Sequence, residues 1–175
     1  MADFDICGQN RDSRTVRLKF LRSELLYDIK NYAYVEADVM GEERQHGQHV
    51  LAEIGEEGNV DRVNRILAVV HAAAIEMLYP YTKVEPVEEE IDDVMQTPEY
   101  YEIVMQVPLS MSRHTMHLLS KLIHEYMVYR VLADWLSITN PEAAANWYQK
   151  AGDTEVEIGR AKNRRGVLVR RSHPW

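Results

Sequence analysis

The segment that most constrains the fold is HTMHLLSKLIHEYMVYRVLADWLSIT, residues 114–139. Met116, Leu119, Ile123, Tyr126, Met127, Val131 and Trp135 recur mostly at spacings of three and four, which places them on one inward face of a long α-helix. Ser110 or Ser112 supplies the N-cap. At the other end Asn140-Pro141 resets the chain, because Asn accepts from first-turn amides and proline's missing N–H costs nothing at the first helical position. The segment after it, PEAAANWYQKAG, is therefore a new helix. It is expected to weaken near Gly152 and resume at Asp153 through DTEVEIGRAKNRR.

Two earlier segments share the helical period. Residues 12–38 place Leu18, Leu21, Leu25, Ile29 and Tyr32 near helical spacing, with Asp12 or Ser13 as cap. In residues 59–80, Asn59 is the expected N-cap and Val63, Ile66, Leu67, Val70, Ala73, Ala74 and Met77 form a broad apolar stripe ending at Pro80. Between them, residues 39–58 are polar and glycine-bearing and read as an irregular connection with one helical turn around Val50 and Leu51.

One stretch departs from this period. YYEIVMQV, residues 100–107, alternates, with Tyr101, Ile103, Met105 and Val107 on one side and Tyr100, Glu102, Val104 and Gln106 on the other. A lone strand leaves its backbone groups unpaired, and GVLVRR near the C-terminus is the segment expected to pair with it. The fold class that follows is mainly α: about four long helices, one short β element and an extended C-terminal arm. The domain comprises residues 1–159 and the arm residues 160–175.

At 175 residues the chain has room for one well-buried core. Its charge is divided sharply. Net charge is -8, yet residues 160–175 carry six bases and no acid, leaving 14 basic and 28 acidic groups in residues 1–159, a balance of -14. Seven of those acids fall in residues 84–99, VEPVEEEIDDVMQTPE, read as an exposed acidic loop whose surface is made by Glu88, Glu89, Glu90, Asp92 and Asp93. The single Cys7 excludes an intramolecular disulfide framework, and no apolar run is long enough to span a membrane.

Candidate chemistry is sparse. Glu43 and His46 form a Glu-x-x-His pair of the kind that supplies di-iron ligands from one helix, but no second pair exists and Gly47 follows at once, so the bland reading is a solvated connection. His114, His117 and His124 lie on related faces of one helix, with His46 and His49 elsewhere, and packing or surface roles outweigh a ligand or pH-sensitive contact. No glycine-rich phosphate loop and no nucleophile elbow occurs. The aromatics Tyr79, Tyr81, Tyr126, Tyr129, Trp135, Trp147 and Tyr148 are not interleaved with Lys and Arg as a base-stacking platform requires. The expectation is a chain that is not an enzyme, with no catalytic, metal or cofactor site.

The tail RRGVLVRRSHPW, residues 164–175, combines a β-prone apolar core, flanking arginines and an aromatic end, the composition of a segment that adds a strand to a neighbour and docks an anchor. The expected contacts are Arg164, Arg165, Val167, Leu168, Val169, Arg170, Arg171 and Trp175.

The stretches NVDRVNRILAVV, LYPYTK and HEYMVYRVLADWLSITNPEAAANWYQKA resemble small uncharacterised structural proteins encoded beside virion genes in tailed bacteriophages and prophages. The long-helix plan resembles phage head-tail connector (adaptor) proteins. That resemblance implies a virion neck protein made in the host cytoplasm: a homo-oligomeric ring of about twelve copies that binds the portal and other neck or tail proteins. It implies that the ring continues a channel through which DNA passes without sequence-specific binding. An acidic channel wall suits that task, since phosphates find no fixed cations on it. The simplest connectors are wholly helical, so the strand at 100–107 leaves other positions open, such as a tail-completion or tail-terminator ring. A different class of reading is a DNA-binding accessory protein using the basic tail.

Overall fold

The computed structural model describes residues 13–39, 54, 57–83 and 97–164. In chain order these residues form β1 (Ser13–Leu21), α1 (Arg22–Val39), α2 (Glu57–Met77), β2 (Tyr100–Pro108), α3 (Arg113–Thr139) and α4 (Pro141–Lys162). The protein is mainly helical with a small two-stranded antiparallel sheet.

The sheet corrects the reading of the first helix. Residues 13–21 are a strand, and the helix begins only at Arg22. Within VRLKF, Val16, Leu18 and Phe20 alternate with Arg17 and Lys19, so an extended backbone sends the apolar side chains to one face, where Leu18 and Phe20 are buried. Leu18, Leu21 and Leu25 also satisfy a helical spacing. Pairing with β2 decides between the two periods, because it supplies a full ladder of backbone hydrogen bonds and a buried face at once. Leu21, expected to face inward, ends the strand on the solvent side, 47% exposed.

The strand at 100–107 forms as expected, with Tyr101, Ile103, Met105 and Val107 buried. Its partner is β1, not GVLVRR, which falls in residues 166–171 and outside the described residues. Val16 faces Met105, Leu18 faces Ile103 and Phe20 faces Tyr101 on the covered side. On the open side Glu102 draws in both Arg17, at 3.4 Å, and Lys19, at 3.6 Å. Beyond the strands, the Arg22 amide donates to the Glu99 carbonyl at 3.0 Å, whereas the Gln106 amide turns away from β1 and donates to the Tyr81 carbonyl at 2.8 Å.

Helix α3 is the centre of the molecule, packing on α1, α2 and α4. The seven residues expected to face inward are buried, and so are Leu122, Val128, Leu132, Ala133 and Leu136, because neighbours cover it on more than one side. Its ends follow the capping rules. Ser112 Oγ accepts from the Thr115 amide at 3.1 Å, and Asn140 both closes α3, donating its N–H to the Leu136 carbonyl, and opens α4, accepting from the Ala143 amide at 3.3 Å.

Two other expectations shift. Helix α2 starts at Glu57, ahead of Asn59, and its buried stripe is Val63, Leu67, Val70 and Ala74, with Ala73 facing solvent. Helix α4 runs unbroken through Gly152, since hydrogen bonds on either side and the buried Ala151 and Thr154 hold that turn helical. At its end Lys162 Nζ donates to the carbonyls of Met77 and Tyr79 at 2.7 and 3.1 Å, satisfying acceptors left over where α2 stops.

Candidate functional site

Among the described residues a groove with convergent polar groups lies between α1 and α3. Leu25, Ile29, Ala33 and Ala37 turn the buried face of α1 to the core, which leaves Glu24, Asp28, Asn31 and Tyr32 along its flank. Helix α3 contributes Lys121, His124, Glu125, Val128 and Tyr129, one turn apart along the facing flank. Together they enclose about 330 Å³. A second cavity of about 210 Å³, lined by Lys19, Phe20, Leu21, Glu24, Ser120, Lys121 and His124, adjoins it at the end of β1.

At the centre His124 Nε2 and Asp28 Oδ2 are 2.7 Å apart, a contact between residues far separated in the chain. The pair ties α1 to α3 from a half-exposed position. At one end Tyr32, Tyr129 and Trp147 form an aromatic cluster, with ring centroids 5.3 to 6.1 Å apart. Trp147 Nε1 donates to Glu36 Oε1 at 3.0 Å, so α4 joins the same seam. Burial, with the Glu125 carboxylate and Tyr32 adding to it, pushes the Tyr129 hydroxyl up to about 12. It therefore stays protonated and acts as a donor, not a base. The groove can hold and orient a polar or cationic group, and among the described residues no hydroxyl or thiol nucleophile lies among the partners of His124.

The outer face of α1 is a separate feature. Tyr27, Tyr34 and Val35 stand 67, 66 and 53% exposed, and their spacing of seven and eight residues puts them on the side opposite the core.

Of the residues expected to make contacts, Arg164 lies just beyond α4, with its amide donating to the Ala161 carbonyl. Arg165, Val167, Leu168, Val169, Arg170, Arg171 and Trp175 lie outside the described residues, as do Glu88, Glu89, Glu90, Asp92 and Asp93, the pair Glu43 and His46, His49 and Cys7. The three helix histidines do not converge: His124 meets Asp28, His117 Nε2 accepts from Arg113 Nε at 3.3 Å, and His114 is exposed. Among the described residues no group of three acids, histidines or cysteines is placed to hold a metal ion.

Sequence reasoning missed His71. Its Nε2 lies 3.1 Å from the Glu102 carbonyl, and its ring sits 5.2 Å from that of Tyr101. Burial lowers its pKa, outweighing the carbonyl, so the ring is neutral with the proton on Nε2. The available signal was its place one residue after Val70 on the edge of the α2 stripe.

No family model matches the chain, and no curated protein or solved structure is significantly similar to it.

Proposed function

We propose that the chain is a structural protein of a tailed-phage virion neck, a helical connector subunit whose copies close into a ring between the capsid portal and the tail. The observation that carries this reading is the exposed face of α1. Tyr27, Tyr34 and Val35 present two aromatic rings and a branched aliphatic side chain on a rigid helix, the residue types that anchor interfaces between subunits. A ring subunit needs such a flank, because each copy is covered by its neighbours on two sides.

Charge supports the same reading. A balance of -14 over residues 1–159 suits a wall along which DNA slides, and the four arginines that follow α4, Arg164, Arg165, Arg170 and Arg171, suit an extended arm that reaches an acidic surface of the portal or of another copy. On this reading the chain is not an enzyme, and Glu88 to Asp93 face the lumen or a partner. The groove at Asp28 and His124 then serves to fasten α1, the helix that bears the interface, to the central α3.

The test is reconstitution. Full-length protein added to portal-bearing, tail-less heads should co-sediment with them and restore tail attachment. A chain that stays in the supernatant and is missing from the necks of purified virions removes this reading.

A further inference from the structure

Among the described residues the sheet has one covered edge and one open edge, and the ladder shows which groups the open edge presents. Gln106 N–H points away from β1 to Tyr81, and the Glu102 carbonyl points away from it to His71. Residues opposite them, Thr15 across from Gln106 and Lys19 across from Glu102, therefore belong to pairs that do not bond each other. Arg17, between the two, has the same parity. Hence the backbone N–H and C=O groups of Thr15, Arg17 and Lys19 point outward from β1, where no further strand lies among the described residues. Arg22 bonding Glu99 fits the same alternation.

The end of α4 lies on the opposite side. Lys162 is tied to Met77 and Tyr79, and Tyr81 in the same turn covers the far edge of β2. The end of α4 thus lies beside the covered edge of the sheet, while the edge left open among the described residues lies across it. An arm leaving one side of each subunit and a receptor on the other side is a head-to-tail arrangement, the kind that closes into rings.

We infer that the open edge of β1, at Thr15, Arg17 and Lys19, is the seat of residues 166–171 of a neighbouring copy, which add to the sheet as a third strand parallel to β1. The segment GVLVRR has the alternation for it: Val167 and Val169 extend the buried row begun by Val16 and Leu18, and Leu168 faces out. Running parallel to β1, the segment brings Arg170 and Arg171 toward Glu24, whose carboxylate lines the cavity at the end of that strand. Pairing of β1 with a second β1 gathers four cations on one open face, Arg17 and Lys19 of each copy, whereas this segment sets Leu168 beside Arg17 and brings a single further cation, Arg170, to that face. The inference rests on the reading of the chain as a ring subunit and names the acceptor for its arm.

Amide hydrogen exchange on the full-length chain tests it. The amides of Val16, Leu18 and Phe20, bonded to β2, serve as internal controls. Those of Thr15, Arg17 and Lys19 should slow by roughly tenfold or more as protein concentration rises, and Leu168→Pro, outside the folded elements described, should abolish the slowing. Arg17→Pro, which removes an outward N–H and the exposed Arg17–Glu102 pair but no hydrogen bond of the β1–β2 ladder, should weaken self-association while leaving the Val16 and Leu18 amides protected. Fast exchange at every concentration overturns the inference, and so does slow exchange independent of concentration, which means the chain's own arm fills the edge. A chain that shows the concentration-dependent protection but fails to bind portal-bearing heads keeps this interface and loses the neck assignment.

Discussion

His124 Nε2 sits 2.7 Å from Asp28 Oδ2, joining the middle of α3 to the flank of α1. Both side chains keep solvent contact, at 22 and 39% exposure. A double-mutant cycle with Asp28→Ala and His124→Ala should therefore give a coupling of about 1 kcal/mol or less. A coupling several times larger would show that the groove is drier than its geometry implies.

Trp147 is a different case, buried and bonded to Glu36 while its ring packs on Tyr32 and Tyr129. Trp147→Ala removes that packing and strands the Glu36 carboxylate, so it should cost about 3–5 kcal/mol in denaturant unfolding. Trp147→Phe, which keeps most of the ring, should cost clearly less. Equal losses in the two variants would mean that the hydrogen bond, not the ring, holds the seam.

His71 makes stability depend on pH. Its folded pKa lies below the ordinary 6.5, so between the two values the unfolded chain binds a proton that the folded chain does not. Stability from this group is complete above about 6.5 and falls as the pH drops through that window. Comparing urea midpoints at several pH values, His71→Gln should flatten the slope there. An unchanged slope assigns the dependence to other groups.

The α1 face predicts a separation of folding from assembly. Tyr27→Gln, Tyr34→Gln and Val35→Gln each change a side chain that is more than half exposed, so each should change stability by no more than about 0.5 kcal/mol. Together they should weaken binding to portal-bearing heads by about tenfold or more. Wild-type binding by the triple variant would take the outer face of α1 out of the interface.

Gly152 stands in the middle of α4, and a Cβ there meets nothing within 4 Å. Gly152→Ala should raise stability by about 0.5–1 kcal/mol through reduced backbone freedom in the unfolded chain. A loss of stability on thermal melting would indicate a hinge at this position.

Little of the candidate site was legible in the sequence. His124 was marked on its helix, but its partner Asp28 belongs to another element, and nothing local links them. The aromatic cluster drew its members from α1, α3 and α4, so Tyr129 and Trp147 were visible as packing residues while Tyr32 was assigned to a buried stripe instead of a cavity wall. The outer face of α1 was obscured because the helical frame was read over residues 12–38, capped at Asp12 or Ser13, whereas the helix begins at Arg22.

By itself the sequence determined what local chemistry can determine. Ser112 and Asn140 cap their helices through hydrogen bonds to residues three places away, and the buried faces of α3 and β2 follow from periods of 3.6 and two that are written within a few residues. The tertiary structure decided the rest. Residues 13–21 satisfy two periods at once, and only β2, some eighty residues on, offers the backbone partners that make one of them lower in free energy. The edge left open among the described residues at Thr15, Arg17 and Lys19, the depth of His71 and the meeting of Asp28 with His124 are likewise properties of pairing between distant segments, which no local pattern encodes.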